Sequence, residues 1–482
     1  MFWRGVLGYL PVNVVQGVVG LLAIVTFTRL LTPEQYGAYA LGFSAMSLGH
    51  TICFTWLEAA MARFYATEAQ GPKLADHFAT LYRTWAAMAV VFPVLAGLAL
   101  WLWPTTPAVK AAMAAGLASI LVRSLAKLAQ ERRRAAGDVR GAARLDMAQS
   151  AGGFALGAAL IATGLGGAAP LAGLGVIAAA CIVFVLPTEL KGLKGGRFEA
   201  SRARAYAAYG LPVSASLILA LALATTDRFL LGAYLNEAAV GVYHAGYSLA
   251  NRTLDVMFIW LGMAGGPAMV MALERGGKAA LAEAAREQAE VMVALTLPAA
   301  AGLALVARPL ADVMVGPALR AGAAEVTPWI AASAFFAGVT TYYWHQAFTL
   351  ARRTPLLLAA MALPALANVV LNLVLIPRYG LDGALWATTA SYALGLAASM
   401  GLGRRALPLP FPTGTFLGAA LATLAMTLVV LRLPSWGGIA ELALKAGCGG
   451  LVYGLVAGAL DVGGLRAKAL RLIAVRLQPR AA

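Results

Sequence analysis

Apolar runs of about 20 residues, separated by short clusters of charge, Gly and Pro, recur along the whole chain. Their centres, roughly 8–27, 38–57, 82–103, 108–128, 147–165, 168–187, 209–226, 238–262, 289–307, 327–350, 355–376, 381–402, 414–432 and 438–459, predict about fourteen transmembrane helices. The runs are continuous and lack the two-residue alternation of a lipid-facing strand, so the expected fold class is an all-α polytopic membrane protein. The first run starts almost at Met1, is too long for a signal peptide and is followed by no small-residue cleavage site.

Within that pattern one stretch returns. TRLLTPEQYGAYAL, residues 28–41, has an echo in DRFLLGAYLNEAAVGVYHAGYSLAN, residues 227–251. In both, a basic residue closes an apolar helix, leucines and a short polar turn follow, and a Gly-x-Tyr opens the next helix. Gly37 pairs with Gly241, and Tyr39 with Tyr243. A repeat of this kind in an apolar chain predicts a transporter made of two related halves.

The expected domains are an N-terminal lobe over 1–190, a cytoplasmic linker over 191–208, a C-terminal lobe over 209–403, an appended helix pair over 404–460 and a basic tail over 461–482. The linker is polar, and long enough to let two bundles rock. Pro377 and Gly380 turn the chain between two helices, and Gly383 with Ala384 lets the second return closely.

Composition agrees with the pattern. The 482 residues are 61% hydrophobic and 12% charged, with a mean hydropathy of +0.77. A water-soluble surface needs about twice that share of charge. The net charge of +16 arises from 37 Lys and Arg against 21 Asp and Glu. About 29 of those basic residues fall in the N-terminal, even-to-odd and C-terminal connections, and about seven in the opposite ones, so both termini are expected inside. Topology and anionic lipid therefore explain the charge without a nucleic-acid partner. Cys53, Cys181 and Cys448 lie in apolar runs with no metal spacing and no disulfide framework.

The candidate chemistry is sparse. There is no P-loop, no paired-carboxylate or Ser/His/Asp constellation and no outer loop large enough for a catalytic domain, so no enzyme activity and no metal are expected. Asn13 and Gln16 interrupt the first apolar run. They serve either as interhelical hydrogen-bonding groups or as the lining of a lumen. The run Arg132–Arg134, with Arg140 and Arg144 one helical turn apart, is a positive-inside anchor or a landing site for a phosphate headgroup. Asp227 and Arg228 are placed at the outer end of their span. Asn251, Arg252 and Asp255 lie within about two turns, and Arg252 can pair with Asp255. His345 follows an aromatic run near a span end, and Asn368 and Asn372 share a face at i, i+4. Helices 1–6 offer hardly any buried carboxylate, with Glu58 at a span end. Glu441 and Lys445 have the favourable i, i+4 order for a pair.

Three blocks, TRLLTPEQYGAYAL, DRFLLGAYLNEAAVGVYHAGYSLA and NVVLNLVLIPRYGLDGALWATTASY, resemble the polysaccharide or O-antigen flippases of the multidrug/oligosaccharidyl-lipid/polysaccharide exporter superfamily. The resemblance covers nearly the whole chain. It implies two six-helix bundles around a central cavity that opens alternately to each side, in a bacterial inner membrane. It also implies a substrate, an undecaprenyl-diphosphate-linked oligosaccharide used for lipopolysaccharide or exopolysaccharide export. In the family the cavity is cationic. The candidates here are Arg29, Arg63, Arg123, Arg228 and Arg252, with Asn13, Gln16, Asn251, Asn368, Asn372 and His345 for sugar or headgroup and Asp227 and Asp255 beside them.

Guanidinium groups suit a diphosphate leaving water. Alanine at Arg228 or Arg252 is thus expected to block export without blocking insertion. The expected partners are the lipid-linked oligosaccharide, membrane lipids and other polysaccharide-assembly proteins, with the protein a monomer. No cofactor is expected, and transport would be coupled to a proton or sodium gradient or to the membrane potential. The alternatives are a lipid-linked peptidoglycan precursor flippase, a cation-coupled drug extruder, which would need an acidic lobe, and a polysaccharide polymerase or ligase.

Overall fold

The computed structural model describes residues 2–69, 73–464 and 466, with side chains from residue 11 onward. The basic tail expected over 461–482 lies outside the described residues from 467. The helices are α1 (Phe2–Leu30), α2 (Pro33–Cys53), α3 (Thr55–Glu68), α4 (Leu74–Leu102), α5 (Pro107–Ala135), α6 (Val139–Leu160), α7 (Ala169–Leu193) and α8 (Ala200–Tyr234). They continue as α9 (Glu237–Leu305), α10 (Ala307–Met314), α11 (Pro317–Val339), α12 (His345–Leu350), α13 (Thr354–Ala406), α14 (Thr413–Val430) and α15 (Gly438–Ala459). Among the described residues there is no strand.

Nine of the described helices are long and apolar enough to cross a membrane, or ten if α2 and α3, bent by 46°, count as one span. Two of the nine, α9 and α13, are broken where Gly277 and Gly380 take positive φ (66° and 58°). Gly380 is the turn expected after Pro377, since a side chain there would strain the left-handed backbone. Gly383 then faces the Leu375 carbonyl, where a Cβ would stand 2.3 Å from the oxygen. A π-helical turn, Thr340–Trp344, joins α11 to α12.

Several helices run past their expected ends. α4 begins eight residues before the expected 82, α5 runs to Ala135 and α8 runs from Ala200 to Tyr234. Charge closes an apolar run, but it does not end a helix that projects into the interface. α8 therefore carries Asp227 and Arg228 about two turns before its end, where the sequence placed them at the span's outer edge.

The chain forms two compact units, Met1–His244 and Ala245–Ala482. In the first, α6 packs on α7, α2 on α5, α5 on α7, α1 on α6, and α3 on α8. α4 turns Val90, Val94, Leu98 and Trp101 outward as a lipid-facing stripe. Residues 194–199, within the stretch expected as a linker over 191–208, are bonded along α4. The Arg197 N–H donates to Asp76 Oδ1 (2.7 Å), the Glu199 N–H to Thr80 Oγ1 (3.1 Å), and Arg83 to the Gly196 carbonyl (3.4 Å). Arg202 adds ion pairs to Glu199 (2.6 Å) and Glu68 (2.7 Å).

In the second unit α11 packs on α13, α14 on α15, and α10 on α11 and α15. Val293 and Ala294 of α9 meet Ala419, Ala422 and Ala457 of the α14–α15 pair. Glu441 and Lys445 pair at 2.6 Å, the i, i+4 contact their order favours.

The sequence repeat has a physical counterpart inside the first unit. Thr32 caps α2 with a reciprocal capping box, its hydroxyl accepting from the Gln35 N–H and Gln35 accepting from the Thr32 N–H. Asn236 caps α9 at the same register, accepting from the Ala239 N–H (2.9 Å). Gly37 and Gly241, the same distance beyond each cap, then pack against one another. A Cβ on Gly37 would lie 1.8 Å from the Glu237 carbonyl oxygen, and one on Gly241 would lie 2.3 Å from that of Pro33. Each glycine thus faces the carbonyl one turn before the other.

No rotamer relieves a Cβ clash with backbone. Gly37→Val and Gly241→Val should each destabilise the protein by roughly 1–3 kcal/mol, read as a lower thermal midpoint in detergent. A wild-type midpoint for either would contradict the packing described.

Candidate functional site

Polar groups in the first unit converge on Asp146, a residue the sequence reading passed over. Its carboxylate accepts from Gln16 Nε2 of α1 (Oδ1, 3.0 Å) and from Gln130 Nε2 of α5 (Oδ2, 2.8 Å). Lys127 Nζ donates to Gln130 Oε1 at 3.3 Å. Arg123, half-buried on α5, lies in the field of Asp146, Glu58 and Tyr39. At the bend between α2 and α3, His50 Nε2 meets Glu58 Oε1 at 2.8 Å. Two amides, two cations and two carboxylates thus share one region of the first unit.

The expectation was of hardly any buried carboxylate in the first six helices; Asp146 is half-buried, and it adds to Glu58 a second carboxylate in contact with polar groups of other helices. Asp146 falls between the basic stretch that ends at Arg144 and the apolar run expected from 147, and α6, which starts at Val139, carries it only about two turns in. The only sequence signal is an acid in an apolar run beside a Gln. Its partner at Gln16 is 130 residues away.

A second cluster surrounds the α8–α9 turn. Asp227 is fully buried, and Tyr243 Oη donates to its Oδ2 at 2.6 Å. Arg228, 5% exposed, donates to the Ala224 carbonyl one turn earlier (2.7 Å). His244 packs its ring against Tyr36 (5.4 Å) and Tyr39 (6.0 Å), and Tyr39 meets Phe27 at 5.6 Å. The two repeat tyrosines therefore have different tasks: Tyr39 is in an aromatic cluster and Tyr243 is a hydrogen-bond donor. Arg29 does not match Arg228 in burial either. It is exposed and donates to Val25 O (2.9 Å).

The basic run is largely occupied. Arg132 Nη1 and Tyr82 Oη both reach Glu189 Oε2 at 2.6 Å, and the Arg132 guanidinium lies 4.1 Å above the Phe78 ring. Arg134 pairs with Glu131 (2.8 Å). Two of the three arginines expected to anchor the chain or receive a headgroup are thereby committed to the fold. Arg140 and Arg144 are exposed.

In the second unit Asn251 Nδ2 donates to Asp255 Oδ2 at 2.5 Å. Asp255 takes this amide as its partner in place of the expected ion pair with Arg252, whose side chain is exposed. Phe258, one turn further, stacks on Tyr342 (6.1 Å, 11°), and Gln288 Nε2 donates to the Tyr342 carbonyl in the π-helical turn (3.1 Å). That turn leaves a main-chain carbonyl outside the regular ladder, and Gln288 satisfies it. His345 follows directly, half-buried against Phe348. Asn368 and Asn372 are fully buried on α13, while Arg63 and Asn13 are exposed. The described residues include no group of three His, Cys, Asp or Glu spaced to hold a metal.

Long apolar helices with charge clustered inside the bundle define a polytopic membrane protein with the fold of a transporter. The chain belongs to the family described as "Polysaccharide biosynthesis protein", which matches residues 26–320. Its fold is similar to that of the lipid II flippase MurJ in an inward closed conformation, with a TM-score of 0.73 at 13% identity over 93% of this chain and 98% of that one. It is also similar to an inward-facing multidrug resistance MATE family transporter of the MOP superfamily, with a TM-score of 0.63 at 16% identity over 81% and 94%. The MATE multidrug transporter DinF-BH aligns with a TM-score of 0.57 at 16% identity over 81% and 92%. A search of curated protein sequences gives no match.

The clusters predict two outcomes. Asp146→Leu strips both amides of their acceptor and should lower stability by roughly 1 kcal/mol, whereas Asp146→Glu should restore part of it in the same denaturation titration. Tyr243→Phe withdraws a donor from a fully buried carboxylate and should cost roughly 1–3 kcal/mol, measured as a fall in the thermal midpoint. An unchanged midpoint for Tyr243→Phe would show that the hydroxyl does not stabilise Asp227.

Proposed function

We propose that the protein flips a lipid-linked oligosaccharide, carried on undecaprenyl diphosphate, from the cytoplasmic to the outer leaflet of a bacterial inner membrane. The observation that carries this reading is the family match over residues 26–320 in a chain whose fold aligns with a lipid flippase over nearly its whole length. Lobes over 1–190 and 209–403 would alternate access, with both termini cytoplasmic as the basic connections require. The lipid tail stays in the bilayer, so only the headgroup has to cross a polar path.

The first unit offers such a path in Arg123 and Lys127 with Gln16 and Gln130. A diphosphate meeting these cations exchanges its water for charge-assisted hydrogen bonds. The sugars meet amides and aromatic faces. On this reading the protein is a transporter and performs no covalent chemistry, and a proton or sodium gradient or the membrane potential drives it. It acts as a monomer beside the other polysaccharide-assembly proteins.

The carboxylates favour one second reading. Asp146 and Glu58 supply part of the acidic lobe that a cation-coupled drug extruder needs. Proteoliposomes separate the two. The flippase reading expects translocation of a defined undecaprenyl-diphosphate oligosaccharide, slowed about tenfold or more in Arg123→Gln, a barrier increase of about 1.4 kcal/mol or more. Ion-driven efflux of a lipophilic cationic dye, with no oligosaccharide movement, would select the extruder instead.

A further inference from the structure

A cavity of about 580 Å³ opens in the first unit where the α4–α5 turn faces the α8–α9 turn. No part of the transport path proposed above uses it. Its volume falls in the range of small-molecule sites, roughly 300–1,000 Å³. Trp103 and Phe229 form its aromatic wall, their rings 6.1 Å apart and inclined by 55°. Thr105, Thr106, Asn236 and Glu237 form its polar rim, and none of the described residues lining it is Lys or Arg.

Local structure fixes the rim. Thr106 caps α5 through its hydroxyl oxygen, which accepts from the Val109 N–H, and the same hydroxyl donates to Glu237 Oε1 at 2.7 Å. Asn236 caps α9. The two helix starts are thus tied together across the mouth, so the rim is held in place. Trp103 remains 44% exposed, its face available to a ligand.

We propose that this cavity is a carbohydrate subsite that takes a neutral or amino sugar ring, an inference that rests on the flippase reading for its link to the substrate. An indole face and a phenyl ring offer the apolar surface on which the C–H face of a pyranose stacks. Hydroxyl, amide and carboxylate groups around it match the ring's hydroxyls. The carboxylate, with no cation in the lining, argues against a phosphate or a uronic acid, because like charges in a recess repel. It also argues against an acyl chain, which would strip water from Glu237 and give nothing in return. The position fits as well, since the turns lie beyond the apolar spans, on the side opposite Arg132–Arg134.

The test uses full-length protein in nanodiscs with three probes: maltotriose, the glucosamine trisaccharide and trigalacturonate. Saturation-transfer NMR should show saturable binding of maltotriose or the glucosamine trisaccharide, and none of trigalacturonate. Trp103→Ala should weaken that binding about tenfold or more, while Trp103→Phe keeps it. Glu237→Lys should shift the preference toward trigalacturonate. Thermal midpoints verify that each variant is folded.

The subsite is overturned if neither preferred probe binds, if trigalacturonate binds best to the unmodified protein, or if folded Trp103→Ala binds as well as wild type. A phospholipid that copurifies with wild type and leaves in Trp103→Ala would also overturn it, in favour of a lipid site. Flipping measured on the same preparations keeps the two proposals apart. Sugar binding without flipping sinks the flippase reading alone, and flipping without sugar binding sinks the subsite alone.

Discussion

Two helix starts can approach to backbone contact only if neither has a side chain at the crossing, and that constraint organises the first unit. Gly37 and Gly241 meet this condition for each other. Their carbonyl neighbours, at Glu237 and Pro33, are related by the same one-turn offset, so the repeat in the sequence becomes a reciprocal contact in space. Each glycine also positions the residues after it. Tyr39 enters an aromatic cluster with Phe27 and His244, and Tyr243 reaches back to Asp227. The caps at Thr32 and Asn236 fix where each helix begins, and therefore which residue arrives at the crossing.

Divergence within the repeat is as informative as its symmetry. Equivalent tyrosines serve packing in one copy and hydrogen bonding in the other, and the basic residue is exposed as Arg29 but buried as Arg228. A buried carboxylate needs donors wherever it lies, and only the second copy contains one at this place. Tyr243 donates to Asp227, and Tyr39 packs against the rings of Phe27 and His244.

Legibility in the sequence followed the range of the interaction. Apolar run length, Gly and Pro are local, so the helical class, the turn at Gly380 and the repeat glycines could be read directly. Helix ends were less legible, because α4, α5 and α8 continue through charged residues that a hydropathy pattern treats as boundaries. The bend between α2 and α3 carries neither Pro nor Gly at Phe54 and had no signal. Sites were least legible. Gln16 could be recognised as polar in an apolar run, but its acceptor Asp146 lies on another helix and resembles an interfacial residue. Arg252 and Asp255 show the converse: their spacing permits a pair, yet Asn251 holds the carboxylate.

Charge balance connects the fold to the transport reading. A cationic cavity in an apolar bundle, with no anion present, would hold Arg123 and Lys127 in an environment that solvates them poorly. Asp146 and Glu58 reduce that cost when no substrate is bound, and the amides of Gln16 and Gln130 orient the Asp146 carboxylate. An incoming diphosphate would then compete with resident carboxylates for the same cations. On the proposed reading, binding would be weaker than bare cations would give, and release correspondingly easier. A carrier needs that balance, because a headgroup held as tightly as isolated guanidinium groups could hold it would not leave on the other side. The carboxylates that suggest an extruder are, on this account, equally what a flippase of an anionic headgroup requires.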